Sequence, residues 1–580
     1  MAVERVDAVV VGTGWNGLIS AKTYLEFRPG AKLVLIDEQK SIGGVWSTEK
    51  IYPSLFAQIK YGLFEYSFYP MRREGITADG YISGETINTY LNEFARDYHL
   101  VERTRLRTRV NQVERIPKTP GGWRLHLDGD QPAIECEHLI YASGATSHPV
   151  IPSWPRSGRF QRPIIHSADV GTHLQALRGI RRAVVLGGAK SAYDTVFMLL
   201  NNGIQVDWII RADGTGPLAI MPPTILGFVN SMDVISTKAM AMMGSSIMNT
   251  KGSMQRFLHK TRVGRALSRT FWKTVTKIAE MHAGYSKSAN AAKLRPLPHG
   301  NGIFWANAGL GCASVPDFWK VFHAGDCTVH RTDITSFDHV DTVTLRDGGR
   351  LKTDYVILCT GFDKSYQPFS LELQRELGLA PEPDLAAMAK WADLDVRAEF
   401  VVNELLPDLK HSPVPPSVHE QRHERGSPKN KPLHGPSRHY RRLITPKLAA
   451  SGDRSIYFPG FIHSIYTPLV SEAQALWGCA FLLNLIDVPA QEVMEKEVAE
   501  WNVWTRKRYL AQGRKHAYAI FDFLSYIDTL LGDLGVNTMR RSNPLAELFV
   551  PAYPRVYRGI VDEFKRGLVK RKKAALGVAI

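Results

Sequence analysis

The stretch Val6-Asp-Ala-Val-Val-Val-Gly12-Thr-Gly14-Trp-Asn-Gly17 decides the fold of this chain. Val6–Val11 is a short apolar run that ends directly in a GxGxxG pattern, and Leu18–Phe27 has helical composition. That order matters, because the same glycines outside a strand–turn–helix context make an ordinary turn. Gly12 permits the tight turn, Gly14 leaves room for a pyrophosphate against the backbone, and Gly17 lets helix and strand pack closely. The helix N-terminus then faces the phosphates. A second apolar run, Lys32–Ile36, ends in Asp37, twenty residues after Gly17. A carboxylate at that place accepts hydrogen bonds from ribose hydroxyls. The chain therefore opens with a predicted dinucleotide-binding unit.

A second unit of the same kind is predicted further along. Ala183–Leu186 is a buried-strand run followed by Gly187-Gly188-Ala189-Lys190-Ser191-Ala192. The first glycine is kept, but Ala189 puts a methyl where a pyrophosphate approaches, and Ala192 takes the third position. Val206–Ile210 then leads to Arg211, where a fold selective for the unphosphorylated nucleotide carries an acid. An arginine there pairs with a 2′-phosphate and favours NADPH over NADH; a solvated arginine at a strand end is the other reading. Leu139–Gly144 and Asp354–Gly361 are apolar runs that end in small-residue turns, and they bracket this second unit. The expected fold is α/β: two Rossmann-type domains, the second inserted into the first. A helical insertion and a C-terminal helical extension complete it. The expected boundaries are 1–170 and 366–490 for the two parts of the first domain, 171–365 for the second, and 491–580 for the extension.

Composition narrows the class. At 580 residues the chain is too long for one core. Its 44% hydrophobic and 22% charged residues are ordinary for a globular protein. The first residues lack a signal-peptide pattern, and no run reaches about 18 uncharged apolar residues. A cytoplasmic location is expected. The five cysteines form no CxxC pair and no metal spacing, so no metal site is expected. The net charge of +16 suits an anionic cofactor or an acidic membrane surface, and no nucleic-acid recognition motif accompanies it.

Further motifs carry a resemblance. Ile42-Gly43-Gly44-Val45-Trp46 follows Asp37 at the spacing seen in FAD-binding enzymes with paired dinucleotide folds. Phe160-Gln-Arg162-Pro-Ile-Ile-His166-Ser167 resembles the fingerprint FxGxxxHS, with Arg162 in place of glycine and Val170 where Tyr, Phe or Trp is usual. Tyr52–Gln58 resembles a segment whose final asparagine lies beside the flavin, with Gln58 in its place. Ile456–Ser464, containing Gly460, is similar to the C-terminal return to the flavin. Over about residues 5–490 the chain resembles the flavin-containing monooxygenases, in a fungal branch frequent in secondary metabolism.

That resemblance implies FAD and NADPH as cofactors, with O2 and a small organic molecule as substrates. It implies oxygen transfer through a C4a-hydroperoxyflavin: N- or S-oxidation or hydroxylation, with Baeyer–Villiger chemistry as the alternative. Gln58 and His166 are the candidate catalytic or organising residues, although His166 as a packing residue fits equally well. The candidate cofactor residues are Gly12, Gly14, Gly17, Asp37, Gly43, Gly44, Trp46, Gly144, Gly187, Ser191, Arg211, Gly361 and Gly460. A disulfide reductase shares the paired folds but needs a cysteine pair after the GG turn, and none occurs between Gly43 and His126. A non-catalytic flavoprotein remains the third reading, kept open by Ala189 and Arg162.

Two regions stand outside these motifs. In the insertion near 231–284, Thr250–Met281 carries eight bases against the single acid Glu280. Leu267, Phe271, Val275 and Ile278 recur there at helical spacing. Such a helix packs with a solvated basic face, covers an entrance, or lies on an anionic membrane. The Pro-, His- and Arg-rich stretch near 406–442 reads as an irregular loop without a metal-ligand pattern. No motif names the substrate, since pocket residues in this architecture come from loops and insertions.

Overall fold

A run of uncharged β-branched residues is what a parallel strand buried on both faces requires. In the computed structural model, which describes residues 3–78, 80–116, 122–225, 229–312, 317–364, 366–380, 384–413 and 437–575, Val9–Val11 is such a run, at the end of the strand Val3–Val11, whose first half carries Glu4, Arg5 and Asp7. It lies inside a seven-stranded sheet. Leu33–Ile36 is parallel to it on one side, Val11 opposite Ile36, and Ala133–Tyr141 on the other, Val11 opposite Tyr141. Ala133–Tyr141 then has two neighbours along its far edge. Gly122–Leu127 runs antiparallel to its first half, and Ile456–Tyr457 runs parallel to Leu139–Ile140 in its second. The late segment thus returns to the first sheet. The helix Trp15–Phe27 follows the glycine turn and packs on the helix Thr467–Leu482. Gly17 is where helix and strand meet, since a Cβ there would overlap the Gly12 carbonyl oxygen.

The second sheet has five parallel strands in the order Ile164–His166, Tyr355–Leu358, Arg182–Leu186, Gln205–Ile209, Cys327–His330. Because Ile164–His166 belongs to it, this sheet takes up chain on the N-terminal side of residue 171. One face packs against the helix Lys190–Asn201 and its neighbours. The other is covered by the antiparallel ribbon Ile334–Asp338, Thr342–Leu345 and Arg350–Lys352. Phe160 packs under that ribbon, its ring 5.1 Å from Phe337, and so lies in the core of the second unit. Where the chain crosses between the sheets, His148–Pro149 pairs antiparallel with Phe362–Asp363.

The insertion forms the helices Ser231–Ile235, Lys238–Met243, Ser253–Lys260 and Arg262–Ala283. The buried face of the last one differs from the expected stripe. Ser268, Trp272, Val275, Thr276 and Ala279 are inside, whereas Leu267 is exposed. The indole decides this: Trp272 packs 5.2 Å from Phe304 and 4.9 Å from Phe521, and its Nε1 donates to the Met243 carbonyl at 2.9 Å. A large ring with a satisfied N–H and small neighbours wins the interior over separate aliphatic side chains.

Phe521 belongs to the C-terminal extension, which is helical as expected and packs on both the insertion and the first domain. Its helix Phe523–Leu534 lies against Thr467–Leu482, and its short strand Ala517–Tyr518 runs parallel to Ile462–His463. Residues 414–436 of the Pro- and His-rich stretch lie outside the described residues, with His419, His423 and His434 among them. His439 is buried, and its Nε2 donates to the Leu377 carbonyl at 2.7 Å. Among the described residues no helix is long and apolar enough to cross a membrane, and no cluster of side chains could hold a metal ion.

Candidate functional site

The first glycine turn is held by Asp37. Its Oδ2 accepts from the Thr13 N–H and the Thr13 hydroxyl, both at 2.7 Å, and its Oδ1 accepts from the Gln39 N–H at 2.9 Å. A carboxylate oxygen has about two acceptor positions. Oδ1 therefore keeps room for one more donor, such as a ribose hydroxyl. Gly14 is the N-cap of Trp15–Phe27 and offers no side-chain acceptor, which leaves the first-turn N–H groups for an anionic ligand.

The second glycine turn docks on the first. The Gly43 N–H donates to the Thr13 carbonyl at 3.2 Å, and a Cβ on Gly44 would lie 3.1 Å from the Gly14 Cα. A side chain on Gly44 would crowd Gly14 on a backbone with φ +61°, and the two turns together form a cradle of bare backbone. The late return closes it. Gly460 has φ +84°, and a Cβ there would come within 2.5 Å of the Asn16 amide nitrogen. Its N–H donates to Gln474 Oε1 at 3.0 Å; Gln474 Nε2 in turn donates to the Tyr526 hydroxyl at 2.9 Å, which donates to the Arg441 carbonyl at 2.7 Å. Tyr526 comes from the C-terminal extension.

These elements surround one cavity of about 660 Å³. That is within the range of about 300–1,000 Å³ usual for ligand and cofactor sites. Gly12, Gly14, Asp37, Gly43, Gly44, Trp46, Gly144 and Gly460 all line it. So does Thr467, in the first turn of Thr467–Leu482, where a helix presents its positive end. Three buried polar atoms of lining residues, Trp15 Nε1, Ser143 Oγ and His463 Nε2, have no hydrogen-bond partner in the protein. Buried polar atoms are rarely left so, and a bound ligand with donors and acceptors would supply the partners. Burial, reinforced by Lys364 and Lys515, pushes the His463 imidazole down to about 3, so it is neutral. An elongated dinucleotide with a diphosphate at the cradle and a ribose at Asp37 fits this donor set.

Gly187, Ser191, Arg211 and Gly361 lie elsewhere, around the second sheet, and none lines this cavity. The Gly187 turn passes so close to the Cys359 carbonyl that a side chain would overlap it, and Trp208 Nε1 donates to the Gly187 carbonyl at 2.7 Å. Ser191 begins the helix Lys190–Asn201, and Arg211 follows Gln205–Ile209 after Ile210. The loop after Arg211 folds back over the turn: a Cβ on Gly188 would lie 2.8 Å from the Gly216 carbonyl oxygen. Lys190 reaches the other domain, where its Nζ donates to the Phe56 carbonyl at 3.2 Å and pairs with Asp194.

The two candidate reactive residues sit differently from one another. His166 is 1% exposed; its Nδ1 accepts from the Ala168 N–H and its Nε2 donates to the Gly361 carbonyl, both at 3.1 Å. Burial lowers its affinity for a second proton. Both nitrogens are engaged, so His166 fastens the crossing at Gly361. Gln58 lies in the strand Phe56–Lys60, outside the wall of the large cavity. It lines a small separate hollow with Tyr81, Asn230 and Met232, and its Oε1 lies 3.5 Å from where a Gly311 Cβ would be. A motif match carries no information on which side of a strand the amide falls.

Asn16, Lys50, Gln367 and Thr467 also line the cavity and were not singled out in the sequence. Asn16 and Thr467 have a local signal, as first-turn residues of helices that begin at the site. Gln367 and Lys50 have none.

The sequence matches the model of the FMO-like, flavin-binding monooxygenase-like family over residues 5–247. It is 47% identical to the FAD-dependent monooxygenase DEP4 of Alternaria brassicicola, over 97% of this chain and 95% of that one. It is 37% identical to the FAD-dependent monooxygenase rstn6 of Aspergillus nomiae, over 96% and 98%. Among solved structures, an NADP+-bound cyclohexanone monooxygenase variant from Rhodococcus sp. Phi1 superposes with a TM-score of 0.59. It covers 92% of this chain and 98% of its own at 16% identity, a likeness of fold.

Proposed function

Because the chain belongs to the flavin-binding monooxygenase family, we propose that it uses NADPH and O2 to place one oxygen atom in a small organic molecule of secondary metabolism, by N- or S-oxidation or hydroxylation. The observation that carries this reading is the single cavity around which Asp37, the Gly14–Gly44 cradle and the start of Thr467–Leu482 converge. FAD is the group that fits it, and when bound it supplies the redox and oxygen chemistry.

The protein's part is binding and orientation. First-turn N–H groups of Trp15–Phe27 face the diphosphate, and Asp37 takes a ribose hydroxyl through Oδ1. The positive end of Thr467–Leu482 favours negative charge on a ring system held beside it. His463 presents a neutral imidazole to the same space. Gly187, Ser191 and Arg211 are the proposed seat of NADPH, with Arg211 on the 2′-phosphate. His166 has a positioning role through Gly361, and Gln58 would act only if a substrate reached its hollow.

Purified protein tests this directly. Flavin absorbance, NADPH consumption that requires O2, and one labelled oxygen atom from O2 in a heteroatom oxide or alcohol are the expected results. A colourless protein inert to NADPH would sink the proposal, and a labelled ester or lactone would replace it with Baeyer–Villiger chemistry.

A further inference from the structure

A helix that packs on a core normally shows solvent a polar outer face. The helix Arg262–Ala283 breaks that rule. On a 3.6-residue repeat Val263, Leu267, Thr274 and Met281 fall along one line, roughly opposite the buried Ser268, Trp272 and Ala279. Arg262, Arg269, Lys273 and Lys277 form the flank between these two faces. The preceding helix, Ser253–Lys260, adds Met254 and Phe257 with Arg256 and Lys260. Met254, Phe257, Val263, Leu267 and Met281 are 40% to 70% exposed, although the pair of helices is already fixed by its other side.

The two helices are locked together. A Cβ on Gly264 would overlap the Phe257 carbonyl, and Thr261 caps the second helix through the Gly264 N–H at 3.0 Å. The apolar side chains therefore protrude from a rigid support.

The charge around them chooses the occupant. Glu280, the one acid in residues 251–283, lies 3.9 Å from Arg295, and Asp408 takes Arg265 and Arg269. Among the described residues no ion pair engages Arg256, Lys260, Lys273 or Lys277. A second copy docking through this face would set these bases against their own images. An acidic headgroup layer would neutralise them and take the apolar side chains into its acyl boundary. The helix Leu385–Leu405 also exposes Val396 and Phe400, but Arg397, Arg506 and Lys507 beside them are already paired with Asp393, Asp395 and Glu399, which leaves those bases engaged rather than offered to such a layer.

We propose that the helix pair Ser253–Lys260 and Arg262–Ala283 docks this protein on an anionic lipid surface, Val263 and Leu267 entering the apolar boundary and the flanking bases meeting the headgroups. The site lies outside the cofactor cavity and does not depend on the reaction assigned above.

Co-sedimentation of the full-length, FAD-loaded protein with vesicles tests it. Binding is expected to vesicles of phosphatidylcholine with phosphatidylserine, to weaken with salt, and to be absent with phosphatidylcholine alone. Lys273→Gln and Lys277→Gln should each weaken binding about fivefold, and Val263→Glu with Leu267→Glu should abolish it. All four side chains are exposed, so unchanged flavin absorbance and melting temperature will show that the variants are folded. No binding to acidic vesicles, or binding indifferent to Val263→Glu and Leu267→Glu, overturns the proposal. So does a dimer in sedimentation that these two changes dissolve, which would assign the face to self-association.

Discussion

Glu472 and Ser67 are joined twice: the Ser67 N–H and hydroxyl donate to the two Glu472 oxygens at 2.8 and 2.6 Å. The pair links the helix Thr467–Leu482, one wall of the large cavity, to a segment about 400 residues earlier in the chain. Burial pushes the Glu472 carboxyl up from 4.5 to about 7, against the pull of these two donors.

A carboxyl whose pKa is raised by folding binds its proton more tightly in the native state. Stability then falls as pH rises from 4.5 to about 7 and levels off above that. Glu472→Gln, which keeps the shape and stays neutral, is expected to flatten this dependence. Denaturation midpoints of the two proteins across that window check it, and equal slopes would remove Glu472 as the cause.

Arg508 should be expensive to remove. It is fully buried, donates from Nε to the Gly244 carbonyl at 2.7 Å and to the Phe304 carbonyl from Nη1, and lies 3.9 Å from the Phe304 ring centre. It is also the nearby cation that favours the ionised form of buried Asp522. Breaking a buried charge group of this kind costs about 3–5 kcal/mol. Arg508→Met is expected to lose stability of that order in urea unfolding, with a loss below about 1 kcal/mol pointing to repacking.

FAD affinity should depend on Asp37. Asp37→Ala removes the one oxygen that accepts both Thr13 hydrogen bonds and the oxygen offered to the ribose, at about 1.5–3 kcal/mol per charged hydrogen bond. The dissociation constant of FAD, followed by flavin fluorescence, is expected to rise about a hundredfold.

Gly460→Ala should act at the same site by a different cause. The added methyl meets the Asn16 amide at 2.5 Å on a backbone with φ +84°. Flavin content after purification is expected to fall, while the second-sheet nucleotide site, measured by NADP+ titration, keeps its affinity.

Nucleotide choice tests Arg211. Arg211→Asp is expected to lower the ratio of kcat/KM for NADPH over NADH by about tenfold to a hundredfold, the worth of one or two charge-assisted hydrogen bonds. An unchanged ratio would place the 2′-phosphate on another residue.

The parts of the site legible in the sequence are those built by neighbouring residues. Val3–Val11, the Gly12–Gly17 turn and Asp37 are one strand, one turn and the end of the next strand, and local sterics and capping decide them. The Gly43–Gly44 turn is legible because glycine is demanded where backbone passes backbone, and Gly460 because its φ of +84° beside the Asn16 side chain favours glycine. Gln58 was not readable in this way. Its motif fixes a position along a strand, and only the packing of Phe56–Lys60 against Tyr81–Ser83 and the Gly311 segment decides which hollow its amide enters.

The same division runs through the whole protein. Its sequence alone determined two dinucleotide units in order, the acid and the arginine at their strand ends, and a basic helical insertion, because each is set by residues close in the chain. Tertiary structure decided that Trp272 rather than Leu267 faces inward, and that Tyr526 braces Gln474 and Gly460. Those outcomes depend on which distant side chain fills a volume or answers a buried donor, and a periodic pattern does not record its partner.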